Sequence, residues 1–271
     1  MKKLNKIGLL LVMMLFVSCQ EEITLDLNNS TPYLVVDASI NWEKGTLGNQ
    51  QKILLSKVSP YYDSQTRKVS GAVVTVSNEA GQVFTFSESQ TLGEYVCDDF
   101  VPVLNQEYTL YIAYQNQVYT AQERLVPVVD ILNVEHQVKT FFGKELYEIS
   151  YLFEDPISVT NYYISYLHYN KPLPKNNVMN DEYFDGNPMK GVYFMEKEEV
   201  SEPLSIELIG ISSRCYDYMY KLFEVMNAGS GPFQTNVSTI RGNITNQTDA
   251  DNYALGYFRL SEVSKVDYNV E

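Results

Sequence analysis

Histidine occurs twice in 271 residues, tryptophan once and cysteine three times. Three cysteines allow at most one disulfide, so folding rests on apolar cores and not on a disulfide scaffold. No pair of cysteines or histidines has the spacing of zinc ligands. His136 and His168 each sit in a strand-like run, outside any recognisable catalytic motif. The nucleophile-elbow pattern G-x-S-x-G is missing, and Gly229-Ser230-Gly231 does not supply it. Structural roles are expected for both histidines. Basic residues are also short, with 20 Lys and Arg against 34 Asp and Glu and a formal net charge of −14. Such a field repels nucleic acid, so a nucleic-acid partner is not expected. Beyond the first residues, no segment has the length and apolarity of a membrane span.

What is present begins at the start of the chain. Lys2, Lys3 and Lys6 precede the apolar run Ile7 to Val17, which has the size of a signal-peptide core. It is too short to cross a bilayer as a helix, which takes roughly 20 residues. Leu15-Phe16-Val17-Ser18-Cys19 resembles a lipobox, although Phe16 stands where leucine is commoner. That resemblance implies cleavage after Ser18, with diacylglycerol on the Cys19 sulfur and an acyl chain on its new amine. The alternative is an ordinary secretory signal with an incidental cysteine. Several acyl chains, at about 0.8 kcal/mol per buried CH₂, anchor a protein durably. No other cofactor is expected. Loss of residues 1–18 removes three lysines and no acids, leaving 17 basic against 34 acidic side chains and a formal charge of −17. Gln20, Glu21 and Glu22 then resemble the short acidic signal that sends Bacteroidota lipoproteins to the cell surface. Otherwise they are a solvated tether that leaves the protein facing the periplasm.

From Tyr33 onward the chain reads as strands. In YLVVDASI, Leu34, Val36, Ala38 and Ile40 alternate with Asp37 and Ser39, the period of a half-buried strand. Turn signals at NEAG and at Gln115-Asn116-Gln117 mark two hairpins. About seven short strands before Pro127 predict an immunoglobulin- or fibronectin-like sandwich. Tyr108, at the start of the penultimate strand, is a tyrosine-corner candidate. The expected organisation is a signal peptide over 1–18, an acidic tether over 19–32, the sandwich over 33–127 and a second β domain over 128–271. One helix is expected at about 213–227, capped by Ser212 or Ser213, with Cys215, Met219, Leu222 and Met226 on its packed face. Residues 171–190, rich in Pro, Asn and Asp, read as a long loop.

With those motifs in place, the chain resembles the Bacteroidota lipoprotein family called domain of unknown function 4249. The resemblance rests on Cys19 with its acidic stretch, TPYLVVDASI, SGAVVTVSNEAGQVFTF, GEYVCDDF, EYTLYIAYQNQVYTAQERLVPV, CYDYMYKLFEVMN, GPFQTNVSTIRGNI and LGYFRLSEV, in that order. It carries over no catalytic residue. It implies a gene neighbourhood with TonB-dependent transporters, and hence an outer-membrane β-barrel as partner.

The expected function is therefore a non-enzymatic accessory or binding subunit of such a transporter. It would be held at the outer membrane by lipid alone and face the cell exterior. The alternative is a structural subunit of barrel-insertion or lipoprotein-export machinery; a surface hydrolase has no motif to support it. The 22 tyrosines and 12 phenylalanines suit protein contact or sugar stacking wherever they face solvent, because aromatic rings supply area at low entropic cost. Tyr61, Tyr62, Tyr183, Phe184, Pro232 and Phe233 are the candidate contacts, all in loops. No catalytic or metal-ligating set is assigned, although Asp181, Glu182 and Asp185 could supply oxygen ligands to Ca²⁺. On NYYISYLHYN, Tyr162, Tyr166 and His168 share one strand face and Tyr163 and Tyr169 the other. That strand is either buried on both sides or presents rings to solvent.

Overall fold

The structure is a computed structural model and describes residues 33–59, 66–200, 203–227 and 239–270. The described chain is mainly β with one helix. Eight strands form a closed ring. In hydrogen-bonded order they are β1 (Leu34–Glu43), β2 (Gln51–Lys57), β6 (Glu94–Cys97), β5 (Val83–Glu88), β4 (Val73–Asn78), β7 (Glu107–Tyr114), β8 (Gln117–Val126) and β16 (Leu255–Tyr268), which returns to β1. The short strands β3 (Arg67–Lys68) and β15 (Thr245–Asn246) pair with β2 and β8. Closure leaves no free edge within the ring, which removes a template for unwanted strand addition.

Local sequence explains most of these strands. The β1 alternation holds, with Leu34, Val36, Ala38 and Ile40 pointing into a core that also takes Ile53, Leu55, Phe84, Phe100 and Tyr108. Burying each large side chain contributes about 1.5–3 kcal/mol. Gln115 and Asn116 both adopt positive φ, 49° and 60°, as a two-residue primed turn between right-twisted strands requires. Tyr108 is fully buried. Its hydroxyl donates to the Val101 carbonyl at 3.0 Å and accepts from the Val103 N–H at 2.9 Å.

The remaining strands build an arm on the ring. β9 (Asn133–Phe141), β10 (Lys144–Glu154) and β13 (Pro188–Glu196) form a separate three-stranded sheet. β11 (Tyr162–His168), β12 (Lys175–Asn180) and β14 (Leu204–Ile211) extend the main sheet from β16. One face of the arm packs on the small sheet through Tyr163, Leu167, Leu204, Ile206 and Leu208. The other packs under α1 (Ser213–Asn227) through Ile164, Ile209, Ile211 and Val263. Strand β11 is thus buried on both sides, with Tyr163 in one core and Tyr162 and Tyr166 against the other.

Two expectations need correction, the 171–190 loop and the packed face of the helix, and two others are refined. The part expected as a sandwich lies in a ring of eight strands, closed because β16 pairs with β8 as well as β1. Residue 127 lies between two cores. Strand β16, from the far end of the chain, runs parallel to β1 over Leu255 to Val263 and antiparallel to β14 over Val263 to Tyr268. The 171–190 loop contains β12 and the start of β13. β12 is half-buried throughout and pairs only with β11 on the sheet path, so an edge strand with no apolar alternation hid from a period-based reading. On α1, Met226 is 57% exposed and Phe223 is buried in its place. The Ser212 hydroxyl accepts from the Cys215 N–H at 3.2 Å, which makes Ser212 the cap.

Gly256 fixes where β16 can begin. Its φ is +96°, and a Cβ there would lie 1.9 Å from the Val36 carbonyl oxygen of the paired strand. Only glycine meets both conditions.

Candidate functional site

Of the expected contact residues, Tyr183 and Phe184 are described, and they fall together. They occupy the tight turn between β12 and β13, 84% and 50% exposed. Cys19, Gln20, Glu21, Glu22, Tyr61, Tyr62, Pro232 and Phe233 lie outside the described residues.

The turn is built on three carboxylates, two of them buried and Asp185 exposed. The Phe184 N–H donates to the Asp181 carbonyl and the Asn187 N–H to the Phe184 carbonyl, both at 2.7 Å. Asp181, 2% exposed, accepts from the Asn161 N–H at 2.7 Å. Asp185 accepts from the Ser158 N–H at 2.6 Å. Asp155, also buried, accepts from the Tyr163 hydroxyl at 2.8 Å and the Gly186 N–H at 3.3 Å. Oxygens of Asp155, Asp181 and Asp185 all lie within 4.8 Å of one another. Burial pushes the Asp155 carboxyl above its usual range, opposed by the Tyr163 and Gly186 hydrogen bonds and assisted by the charges of Asp181 and Asp185.

This arrangement revises the acidic set read from the sequence. Asp155 replaces Glu182, which is exposed and outside the triad. Three carboxylates offer the hard oxygen ligands that Ca²⁺ prefers. Each also accepts a donor from the loop or the strands beneath it, so the triad ties the turn to the ends of β10 and β11. A cavity of about 420 Å³ opens beside it, lined by Ser158, Thr160, Tyr162, Asn180, Asp181 and Asp185. Ile157 and Val159, 76% and 52% exposed, add apolar surface on the neighbouring segment. Rigid rings on a braced turn, beside aliphatic groups, suit contact with another protein.

A second exposed aromatic group escaped the sequence reading. At the β9–β10 turn Phe142 is fully exposed with φ 49°, and Phe141 packs edge-on to Phe194 with ring centroids 5.4 Å apart. The Phe141-Phe142-Gly143-Lys144 run carried the signal, but phenylalanine is not a usual residue for positive φ. The histidines are in structural surroundings. His136 Nδ1 lies 2.7 Å from the Tyr268 hydroxyl, and His168 Nε2 faces Glu207 Oε2 at 3.2 Å. Cys97 and Cys215 are free, buried thiols in different cores. Burial pushes them up to about 11 and about 12, far from reactive thiolate character.

Comparison with known proteins adds a family. The sequence model described as Domain of unknown function (DUF4249) matches residues 20–267. No curated protein matches the chain. Among solved structures, a DUF4785 family protein from Legionella pneumophila is 11% identical with a TM-score of 0.23. That match covers 65% of this chain and 52% of the other, so this chain spans about half that protein's length. The chicken interferon gamma receptor alpha chain is 11% identical over 67% of this chain and 90% of its own, with a TM-score of 0.19. Likeness at that level carries no argument about function.

Proposed function

The chain belongs to the DUF4249 family, and on that premise we propose that it is a non-enzymatic accessory lipoprotein of an outer-membrane, TonB-dependent transporter. In this reading Cys19 carries the lipid, Gln20-Glu21-Glu22 directs the protein to the cell surface, and the folded body docks on the barrel. The observation that carries the docking step is the Tyr183-Phe184 turn. Two large rings stand in solvent on a backbone braced by the buried Asp181 and the exposed Asp185, so little ordering entropy opposes their burial in a partner. A lipid anchor also holds the turn at the barrel's rim at high effective concentration, which makes a small contact sufficient.

We also read the eight-strand ring as a pair of immunoglobulin-like sheets facing one another. Support comes from its two shortest junctions, β5–β6 and β8–β16, each only two residue pairs long. Tyr108 bonds back to Val101 and Val103 as a tyrosine corner does.

Photo-crosslinking in cells tests the docking reading. A photoreactive residue replacing Tyr183 should give an adduct with an outer-membrane barrel. The same residue replacing Leu47, which is 81% exposed, should not. Equal yields from both positions, or none from Tyr183, would contradict it. A structural role in barrel insertion or lipoprotein export is the competing reading. Depletion separates the two: a nutrient-specific growth defect supports uptake, and general loss of envelope integrity supports assembly.

A further inference from the structure

Beneath α1 lies a cavity of about 280 Å³ to which β1, β11 and β16 also contribute. Its floor holds Arg259, only 7% exposed. Among the described residues Arg259 forms no ion pair, and its Nη1 is fully buried without a hydrogen-bond partner. A buried guanidinium with unused donors is expensive, and an anion in the same cavity would offset that cost. Walls of different chemistry surround it. The Tyr218 and Tyr257 rings lie 4.9 Å apart, and the Tyr257 hydroxyl is committed to Glu123 at 2.9 Å, which leaves its ring as an apolar wall. Tyr166 closes another side.

The remaining polar groups narrow the anion. Ser39, the cross-strand partner of Arg259, donates its hydroxyl to Asp37 Oδ1 at 2.9 Å. Asp37 also lines the cavity, on its solvent side. Its negative charge works against a second charge on the ligand, so a dianion is disfavoured where a monoanion is accepted.

We propose that this cavity binds a small monocarboxylate with a compact aromatic or apolar body. The carboxylate takes the planar fork of Arg259, and the body lies against Tyr166, Tyr218 and Tyr257. Charge-assisted bonds of this kind are the strong class, and the planar guanidinium matches the planar carboxylate. The site is independent of the docking turn, so either can fail without the other.

Isothermal titration of the purified mature domain with sodium benzoate, benzamide and phenylphosphonate tests this. Benzoate should bind saturably, with benzamide and phenylphosphonate each weaker by about tenfold or more, since a lost charge-assisted bond costs about that factor. Arg259→Met, similar in length and apolar, should lose at least about tenfold in benzoate affinity while its unfolding midpoint holds or rises. Unchanged benzoate affinity in a folded Arg259→Met protein overturns the proposal. So does equal affinity for benzoate and benzamide, or the absence of saturable benzoate binding. Tighter binding of phenylphosphonate overturns the choice of a monocarboxylate. Should Arg259→Met fail to fold, the three-ligand comparison on the unaltered protein decides alone.

Discussion

The Tyr163 hydroxyl donates to Asp155 Oδ1 at 2.8 Å, a buried bond between β11 and the residue that follows β10. It joins the core of the arm to the carboxylates that hold the Tyr183-Phe184 turn. Tyr163→Phe removes the donor without changing the ring packing against Phe153, whose centroid is 5.1 Å away. The variant should lose about 1.5–3 kcal/mol of stability, the range for a hydrogen bond to a charged group. Urea unfolding checks this; an unchanged midpoint would mean that the bond is idle.

The Asp155 carboxyl also sets a pH dependence. Burial raises its folded value above the unfolded one, so the folded state keeps a proton that the unfolded state has already lost. Stability from this group is fully present below the ordinary carboxylate range, about 3.9, and is lost as pH rises through the raised folded value. Asp155→Asn should flatten that decline in a series of thermal melts. An identical slope in the variant would remove Asp155 as its source.

Tyr108 anchors the ring by two backbone hydrogen bonds, to Val101 and from Val103. Tyr108→Phe removes the partner of the Val101 carbonyl and the Val103 N–H, which belong to exposed residues that water can reach. The expected cost is about 0.5–1.5 kcal/mol for each bond lost, read as a lower denaturant midpoint. A loss within about 0.5 kcal/mol, ordinary for a surface change, would deny Tyr108 that role.

Both thiols of the described chain should be silent in the native state. Cys97 and Cys215 are 3% and 1% exposed, with titration pushed up to about 11 and about 12. A thiol reagent at pH 8 should label neither until denaturant is added. Rapid native labelling of either cysteine would show that its core opens readily.

How legible was all this in the sequence? Strands with one buried face, such as β1, and turns that force positive φ, such as Gln115-Asn116, announce themselves through local chemistry. The helix did so through its Ser212 cap and its apolar face. The hidden features depend on partners distant in sequence. Nothing local in LGYFRLSEV says that it closes a ring begun at Leu34, because a strand's neighbours follow from global topology. Asp155 joins Asp181 and Asp185 only once β10 and β12 are folded. β12 is polar because it is an edge, so its pattern resembled a loop. Arg259 drew no notice because a buried arginine and a surface one look alike in a string of letters.

The central claim is docking of a lipid-anchored protein on an outer-membrane barrel, and native purification from membranes in mild detergent tests it most directly. The account predicts recovery of a TonB-dependent transporter barrel with the unaltered protein. It also predicts clear loss of that barrel when Tyr183 and Phe184 are both replaced by serine, with the melting temperature unchanged. Recovery of the protein with no barrel, or the same barrel yield from the folded double variant, would contradict it.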